Sequence, residues 1–185
     1  FKPVTYDEEP SVSAPYSAGK VSDDILQEGV DALNLVRYVA GLSDNVVLDD
    51  GYTETVQHTA VLLAAINRLS HTPPWPADMD DAFYREAYAG AGSSNLAAYW
   101  GLAMTPASSV ITQYMDDSDD SNISAVGHRR WVLNPDMGKT GFGFAQNASG
   151  GRFSAMYAFD RSGSQRLRPR NDRPSSFRRP GNQYI

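Results

Sequence analysis

Apolar residues recur at helical spacing in the first part of the chain. After Ser22 and two aspartates, one stripe consists of Leu26, Val30, Leu33 and Val36. Serine is a preferred N-cap, and the Gly41-Leu42 pair that follows the stripe suits the left-handed turn that often ends a helix. The pattern therefore predicts a helix that begins after Ser22 and ends at Gly41.

A second apolar segment follows Asp49 and is hydrophobic on most of its sides. Its apolar positions are Tyr52, Val56, Ala60, Val61, Leu62, Leu63 and Ile66. A helix that is apolar nearly all round belongs in the interior of a protein. Because Pro73 and Pro74 cannot continue a helix, we expect this central helix to stop near Ser70 and His71.

The middle of the chain alternates short helical patterns with breakers. Residues 80–88, DDAFYREAY, predict a short helix, residues 89–94, AGAGSS, a flexible loop, and residues 95–101, NLAAYWG, the start of another helical piece. Thr105 followed by Pro106 predicts the N-cap and first position of a further helix. The acidic residues 116–122, DDSDDSN, are expected to end it as a solvated loop.

From Lys139 onwards the apolar period changes from helical to two. Phe142 and Phe144 alternate with glycines, and after NASGG a second alternating run reaches Phe159, which predicts a β-hairpin. Helices followed by strands indicate an α+β fold with helices packed on an antiparallel sheet. Residues 1–21 have no period and are expected to form an extended N-terminal arm with little regular structure.

Composition narrows the class of protein. The 185 residues are 41% hydrophobic, which allows one domain to bury a full core. No apolar run approaches the roughly 20 residues that a membrane span needs. The absence of cysteine excludes disulfides, thiolate metal sites and a cysteine nucleophile.

Charge is distributed unevenly along the chain. Residues 1–159 carry 9 Lys/Arg and 20 Asp/Glu, whereas residues 160–185 carry 7 and 2. An acidic body repels phosphate backbones, so we expect no nucleic-acid partner. The basic, Arg/Pro-rich C-terminal segment, residues 161–185, is either a disordered linker or an extension that completes the sheet.

Three stretches carry a family resemblance. They are residues 32–71, ALNLVRYVAGLSDNVVLDDGYTETVQHTAVLLAAINRLSH, residues 93–97, SSNLA, and residues 127–145, GHRRWVLNPDMGKTGFGFA. In this order they resemble the bacterial SCP-like branch of the CAP superfamily of secretory, antigen and pathogenesis-related proteins. The resemblance implies an α-β-α sandwich over residues 22–160, secretion, and a solvent-open cavity with two histidines and two carboxylates. Some members bind a divalent metal in that cavity.

Carried onto this sequence, the resemblance places the two family histidines on His71 and His128. The family glutamate falls on Ser94, next to Asn95, which we expect to face the cavity as well. The second carboxylate is either Asp116 or Asp117. Because a stable zinc site needs three or four protein ligands, two imidazoles without the glutamate predict at most weak binding of zinc or a similar ion.

Structural interpretations of the same residues stay open. His128 could orient its helix through a backbone hydrogen bond, and His71 could interact with the last carbonyls of a helix. Asn95 could cap a helix or hold a loop. In that case the two histidines would only hold helices together. His58, in the middle of the second helix, is interpreted as structural.

The resemblance implies an extracellular protein, secreted or cell-wall associated, with any signal peptide outside this chain. We expect a monomeric binding module whose cavity takes a small molecule, lipid or peptide. The alternative is an extracellular hydrolase, a peptidase or esterase, that uses Ser94 as nucleophile beside a histidine or a histidine-bound metal water.

Overall fold

The computed structural model describes residues 2–101, 104–118 and 122–163. In chain order the elements are β1 (Tyr6–Glu8), β2 (Lys20–Val21), α1 (Asp23–Val39), β3 (Val47–Leu48), α2 (Asp50–Ala65), α3 (Asp81–Gly92), β4 (Ser94–Trp100), α4 (Pro106–Ser109), which continues as a π-helical segment (Val110–Tyr114), α5 (Arg129–Val132), β5 (Lys139–Thr140), β6 (Phe142–Gln146) and β7 (Gly151–Tyr157). Residues 164–185, most of the basic segment, and residues 119–121 of the acidic stretch lie outside the described residues.

The central sheet is antiparallel, with β7 between β4 and β6. On one face Phe142, Phe144 and Met156 pack in a core with α1 and α4. On the other face Phe153 and Ala155 pack against α2, which is covered in turn by α3. Helices therefore lie on both faces of a small antiparallel sheet, and the predicted α+β, α-β-α sandwich is confirmed.

Two glycines let α2 lie directly on strand β6. A Cβ atom built on Gly143 would lie 2.2 Å from the Val56 carbonyl oxygen, and one on Gly141 would lie 2.3 Å from the Thr53 nitrogen. The close approach brings the Gln57 amide to the outer edge of the strand. There it accepts from the Phe144 N–H at 2.8 Å and donates to the Phe144 carbonyl at 3.0 Å. The Gly/Phe alternation thus fixes the distance between the helix layer and the sheet.

The ends of α1 and α2 follow local rules. Helix α1 begins after Ser22 as predicted, although the Ser22 hydroxyl bonds to Thr5 and Asp24 instead of capping the helix. Gly41 has a φ of +77° just past the helix end, as its position in the sequence predicts. Helix α2 ends at Ala65, earlier than the proline pair indicates, and the backbone turns at Asn67 with a φ of +51°.

The segment from residue 89 to residue 101 differs from its prediction. Residues 89–92, expected in a loop, complete α3, and residues 94–100, expected to be largely helical, form β4. Leu96, Ala97 and Ala98 have no two-residue alternation, because both faces of this strand are covered. Seven successive residue pairs with β7 hold it extended, so tertiary pairing overrides the helical preference of alanine.

Other local features agree better with the sequence. Thr105 caps α4 in a reciprocal pair with Ser108, and Pro106 is the first helical residue, as predicted. The N-terminal arm is extended but not wholly irregular, since β1 pairs with β2. No helix in the described part of the chain has both the length and the hydropathy to cross a membrane.

Two buried charged side chains hold the segment between α5 and β5. The Arg37 guanidinium, fully buried, donates to the Ser43, Val132 and Asn134 carbonyls at 2.8–3.0 Å. The Asp160 carboxylate, after β7, accepts from the Gly138 and Lys139 N–H groups at 2.8 and 2.9 Å. These contacts fix residues 132–139, which lie between α5 and β5.

We predict that Gly143→Ala destabilises the fold by roughly 1–3 kcal/mol, because the added methyl group would collide with helix backbone that cannot move alone. Gly92→Ala is the matched control, since a Cβ there meets nothing within 4 Å. Urea unfolding should show Gly92→Ala to be neutral or up to about 1 kcal/mol stabilising. Equal effects of the two substitutions would contradict the close approach of α2 to β6.

The hydrogen bonds to the Asp160 carboxylate predict that the stability of the fold depends on pH. Burial alone would raise the pKa of this carboxyl, but hydrogen bonds from Gly138, Ser162 and Lys139 lower it overall. A lowered folded-state pKa contributes stability above the ordinary aspartate value, about 3.9, which is lost as pH falls through the folded value. Urea unfolding should therefore show Asp160→Asn to be less stable than the wild type at pH 7, with the difference narrowing at pH 3. A difference independent of pH would argue against this role.

Candidate functional site

Two adjoining cavities lie where α3, β4 and the segment before α5 meet. Their volumes are about 520 and 290 Å³, and both are lined by His71, Asn122 and His128. Leu69, Leu96, Ala97 and Ala98 give the larger one an apolar wall, and Ser94, Asn95, Trp131 and Phe159 line the smaller one. The structure therefore brings the four sequence-predicted residues, His71, Ser94, Asn95 and His128, to one open region.

His128 is held by a carboxylate. Its Nδ1 lies 2.8 Å from Asp117 Oδ1, while its backbone N–H and that of Arg129 donate to Asp117 Oδ2 at 3.0 and 2.9 Å. Asp117 is only 2% exposed and has a φ of +49°. A carboxylate accepts but does not donate, so the His128 ring carries a hydrogen on Nδ1, and among the described residues Nε2 has no hydrogen-bond partner.

The two candidate carboxylates have different roles. Asp117 bonds to His128, whereas Asp116 is exposed and its side chain accepts from the Ser118 hydroxyl. The Arg129 guanidinium donates to the Met115 and Asp116 carbonyls, both at 2.7 Å. Residues 115–117 are thereby joined to the start of α5, with the Asp117 side chain turned towards the histidine.

His71 is oriented by a backbone carbonyl. It lies between α2 and α3, and its Nδ1 is 2.7 Å from the Ala91 carbonyl oxygen in the last turn of α3. Because a carbonyl only accepts, this contact also places the hydrogen on Nδ1 and leaves Nε2 unbonded to the described residues. In the part of the chain that the structure describes, each imidazole thus has Nδ1 fixed by a hydrogen bond and Nε2 without one.

Ser94 and Asn95 are successive residues of β4 and bond to different layers. The Ser94 hydroxyl donates to the Gly90 carbonyl at 2.7 Å, and the Asn95 amide donates to the His128 carbonyl at 3.0 Å. The Tyr114 hydroxyl lies 3.2 Å from the Asn95 carbonyl, and its ring centroid is 5.6 Å from that of His128. Burial raises the pKa of Tyr114, which stays a neutral donor.

The donor set suits a metal ion only in part. Metal-binding histidines usually donate their other ring N–H to a carbonyl or carboxylate, which is the arrangement of both His71 and His128. Asp117, however, is already occupied by three donors, and within the described ranges no group of three His, Cys, Asp or Glu side chains could hold a metal. Two nitrogens without a third protein ligand do not make a stable zinc site.

Some cavity residues had no signal in the sequence. Gln113 lies on the π-helical segment, and Asn122 attracts notice only as part of an Asn-X-Ser pattern. Both line the larger cavity, and Val126, which lies between Asn122 and His128 in the sequence, has a φ of +45°. Trp131, which the sequence leaves as a core or cavity-wall aromatic, lines the smaller cavity, with its ring centroid 4.5 Å from that of Phe159.

The fold and the site together define a class of protein. It is an α-β-α sandwich with an open, histidine-lined cavity beside its sheet. The sequence model of CAP, the cysteine-rich secretory protein family, matches residues 30–157, from α1 to the end of β7. The chain therefore belongs to the CAP family, although it contains no cysteine.

Among solved structures, the chain is similar to an outer surface protein of Borrelia burgdorferi. The sequence identity is 14% and the TM-score 0.49, and the match covers 75% of this chain and 94% of that chain. No curated protein sequence matches the chain.

We predict that Asp117→Ala lowers the free energy of unfolding by about 2–3 kcal/mol, because three donors lose their acceptor. It should also release the His128 tautomer, which long-range ¹H–¹⁵N NMR would detect as a change from Nδ1–H to a mixture. Asp116→Ala, which removes a neighbouring exposed carboxylate, is the control and should change stability by less than about 0.5 kcal/mol. An unchanged His128 tautomer in Asp117→Ala would show that Asp117 does not orient the ring.

Proposed function

We propose that this CAP domain is an extracellular binding module whose cavity takes a small ligand. The observation that carries the proposal is that His71 and His128, 57 positions apart in the sequence, line one open cavity with their Nδ1 atoms already bonded. Side chains whose orientation is fixed before binding lose little freedom when a ligand arrives. Family membership supports the extracellular location, and we propose secretion on that ground.

The lining favours an amphiphilic ligand, such as a small molecule, a lipid portion or a short peptide. Leu69, Leu96 and Ala98 offer apolar contact, and the imidazoles, Asn122 and Gln113 lie among them. A volume of about 520 Å³ is within the range of small-molecule sites, roughly 300–1,000 Å³. An apolar wall with a few oriented polar groups is the usual composition of such sites.

We propose that a divalent metal such as zinc binds only weakly. His71 and His128 would hold it through Nε2, and the remaining positions would be left to solvent or ligand. When bound, the ion would supply a Lewis acid. The Ala91 carbonyl and the Asp117 carboxylate keep the hydrogen of each ring on Nδ1, so that Nε2 would be free to coordinate the ion.

The hydrolase alternative has one observation for it and one against it. The Asp117–His128 pair has the orientation that a general base needs. The Ser94 hydroxyl, however, donates a hydrogen bond to the Gly90 carbonyl at 2.7 Å, so a nucleophilic role would first require that hydrogen bond to break. We therefore propose ligand binding as the function and keep hydrolysis as the alternative.

A metal titration tests the cavity. Zinc added to ¹⁵N-labelled protein should shift the imidazole signals of His71 and His128 at the same zinc concentration. His71→Gln or His128→Gln should lower the zinc affinity more than about tenfold. His58→Gln is the matched control, because the His58 Nδ1 also bonds to a backbone carbonyl, that of Glu54, but lies outside this cavity. Independent shifts of the two histidines would contradict a shared site.

Small-molecule screening and an activity panel separate the two functions. A fluorinated fragment library observed by ¹⁹F NMR should yield ligands that are lost in His71→Gln and retained in His58→Gln. On a panel of chromogenic esters and fluorogenic peptides, Ser94→Ala should equal the wild type. If Ser94→Ala instead abolishes a measurable turnover while the protein remains folded, the hydrolase interpretation is the right one.

A further inference from the structure

A separate cavity lies between the N-terminal arm, α2 and the start of α3. Its volume is about 550 Å³, and it is lined by Pro15, Tyr16, His58, Asp78, Asp80, Ala82 and Phe83. It shares no lining residue with the cavity of His71 and His128. The cavity combines aromatic rings with carboxylates.

Three rings form a concave group around Phe83. The His58 ring centroid is 4.5 Å from that of Phe83 at an interplanar angle of 51°, and the Tyr16 centroid is 6.1 Å away at 41°. The His58 Nδ1 lies 2.8 Å from the Glu54 carbonyl oxygen, and the Tyr16 hydroxyl donates to Asp78 at 3.1 Å. One polar atom of each outer ring, His58 Nδ1 and the Tyr16 hydroxyl, is thus engaged, which orients both rings.

The charge of this cavity is negative. Asp78 and Asp80 line it, and no lysine or arginine is among the described residues that do. Asp80 Oδ1 accepts from the Ala82 and Phe83 N–H groups at the start of α3, which fixes that carboxylate beside the Phe83 ring. An anionic ligand would be repelled here, whereas a cation would contact both carboxylates and ring faces.

The chemistry favours an organic cation over a metal ion. Asp78, Asp80 and His58 are not close enough together to form a metal-binding group among the described residues. The rings of Tyr16 and Phe83 line the cavity with carbon, which would not replace the hydration shell of a small metal ion. Aromatic faces do attract organic ammonium and guanidinium groups, whose carbon atoms can contact the same wall.

We propose that this cavity binds an alkylammonium group, seated against Tyr16, His58 and Phe83 and neutralised by Asp78 and Asp80. The proposal is independent of the function of the histidine cavity. The ammonium belongs either to a small molecule such as choline or to a lysine side chain of a peptide. Both present a cation to the rings and carboxylates, and the probe distinguishes the two sources.

Choline and its uncharged isostere 3,3-dimethyl-1-butanol form a matched pair of probes for this cavity. In ¹H–¹⁵N NMR titrations of the whole chain, choline should shift the signals of residues 16, 58, 82 and 83, and the alcohol should do so much more weakly. A pentapeptide with one central lysine is the third probe. Tighter binding of the peptide would assign the source to a protein side chain, and tighter binding of choline to a small molecule. Equal shifts with choline and the alcohol would overturn the proposal.

Asp80→Asn is the sharpest variant, because asparagine also caps helices and α3 should remain intact. It should weaken choline binding about two- to fivefold, the range of one exposed charge pair. Asp31→Asn, which removes an exposed carboxylate of α1 outside this cavity, should leave the affinity unchanged. Tyr16→Leu removes one ring, and it should lower the affinity for choline while leaving that for the alcohol the same. Equal choline affinities in Asp80→Asn and the wild type would also overturn the proposal.

Discussion

The Asp117 carboxylate is the group on which the geometry of the histidine cavity depends. It is almost wholly buried, and a buried charge is tolerated only where hydrogen bonds replace water. Three donors do so here: two N–H groups at the start of α5 and the His128 ring. Backbone N–H groups at a helix start have no partner within the helix, so one carboxylate both satisfies them and sets the imidazole.

The other end of α5 is held by the opposite charge. The Arg37 guanidinium donates to the Val132 and Asn134 carbonyls, which a helix end also leaves without internal partners. A four-residue helix has little stability of its own, yet an anion at its N-terminus and a cation at its C-terminus both match its dipole. The segment that carries His128 is therefore positioned by the α1 layer at one end and by Asp117 at the other.

The spacing of apolar residues predicts those helices and strands in which the buried positions repeat at one regular interval. It gives α1, α2 and the β6–β7 hairpin, but it fails for β4, because both faces of that strand are covered and its alanines suit a helix. The convergence of His71 and His128 came from family resemblance, since nothing local relates the two positions. The sequence also leaves Asp116 and Asp117 as equal candidates. They differ in backbone conformation, which the turn after the π-helical segment determines.

Because residues 94–100 form a strand and not a helix, neighbouring site residues on β4 bond to different layers. Successive residues of a strand point to opposite faces, so Ser94 bonds to Gly90 in the α3 layer while Asn95 bonds to the segment of His128. His71 is attached to α3 as well, through Ala91, whereas His128 is attached to Asp117. The two imidazoles therefore belong to different layers of the sandwich. A ligand that contacts both would connect those layers, and its binding would stabilise the folded state by the free energy of that contact.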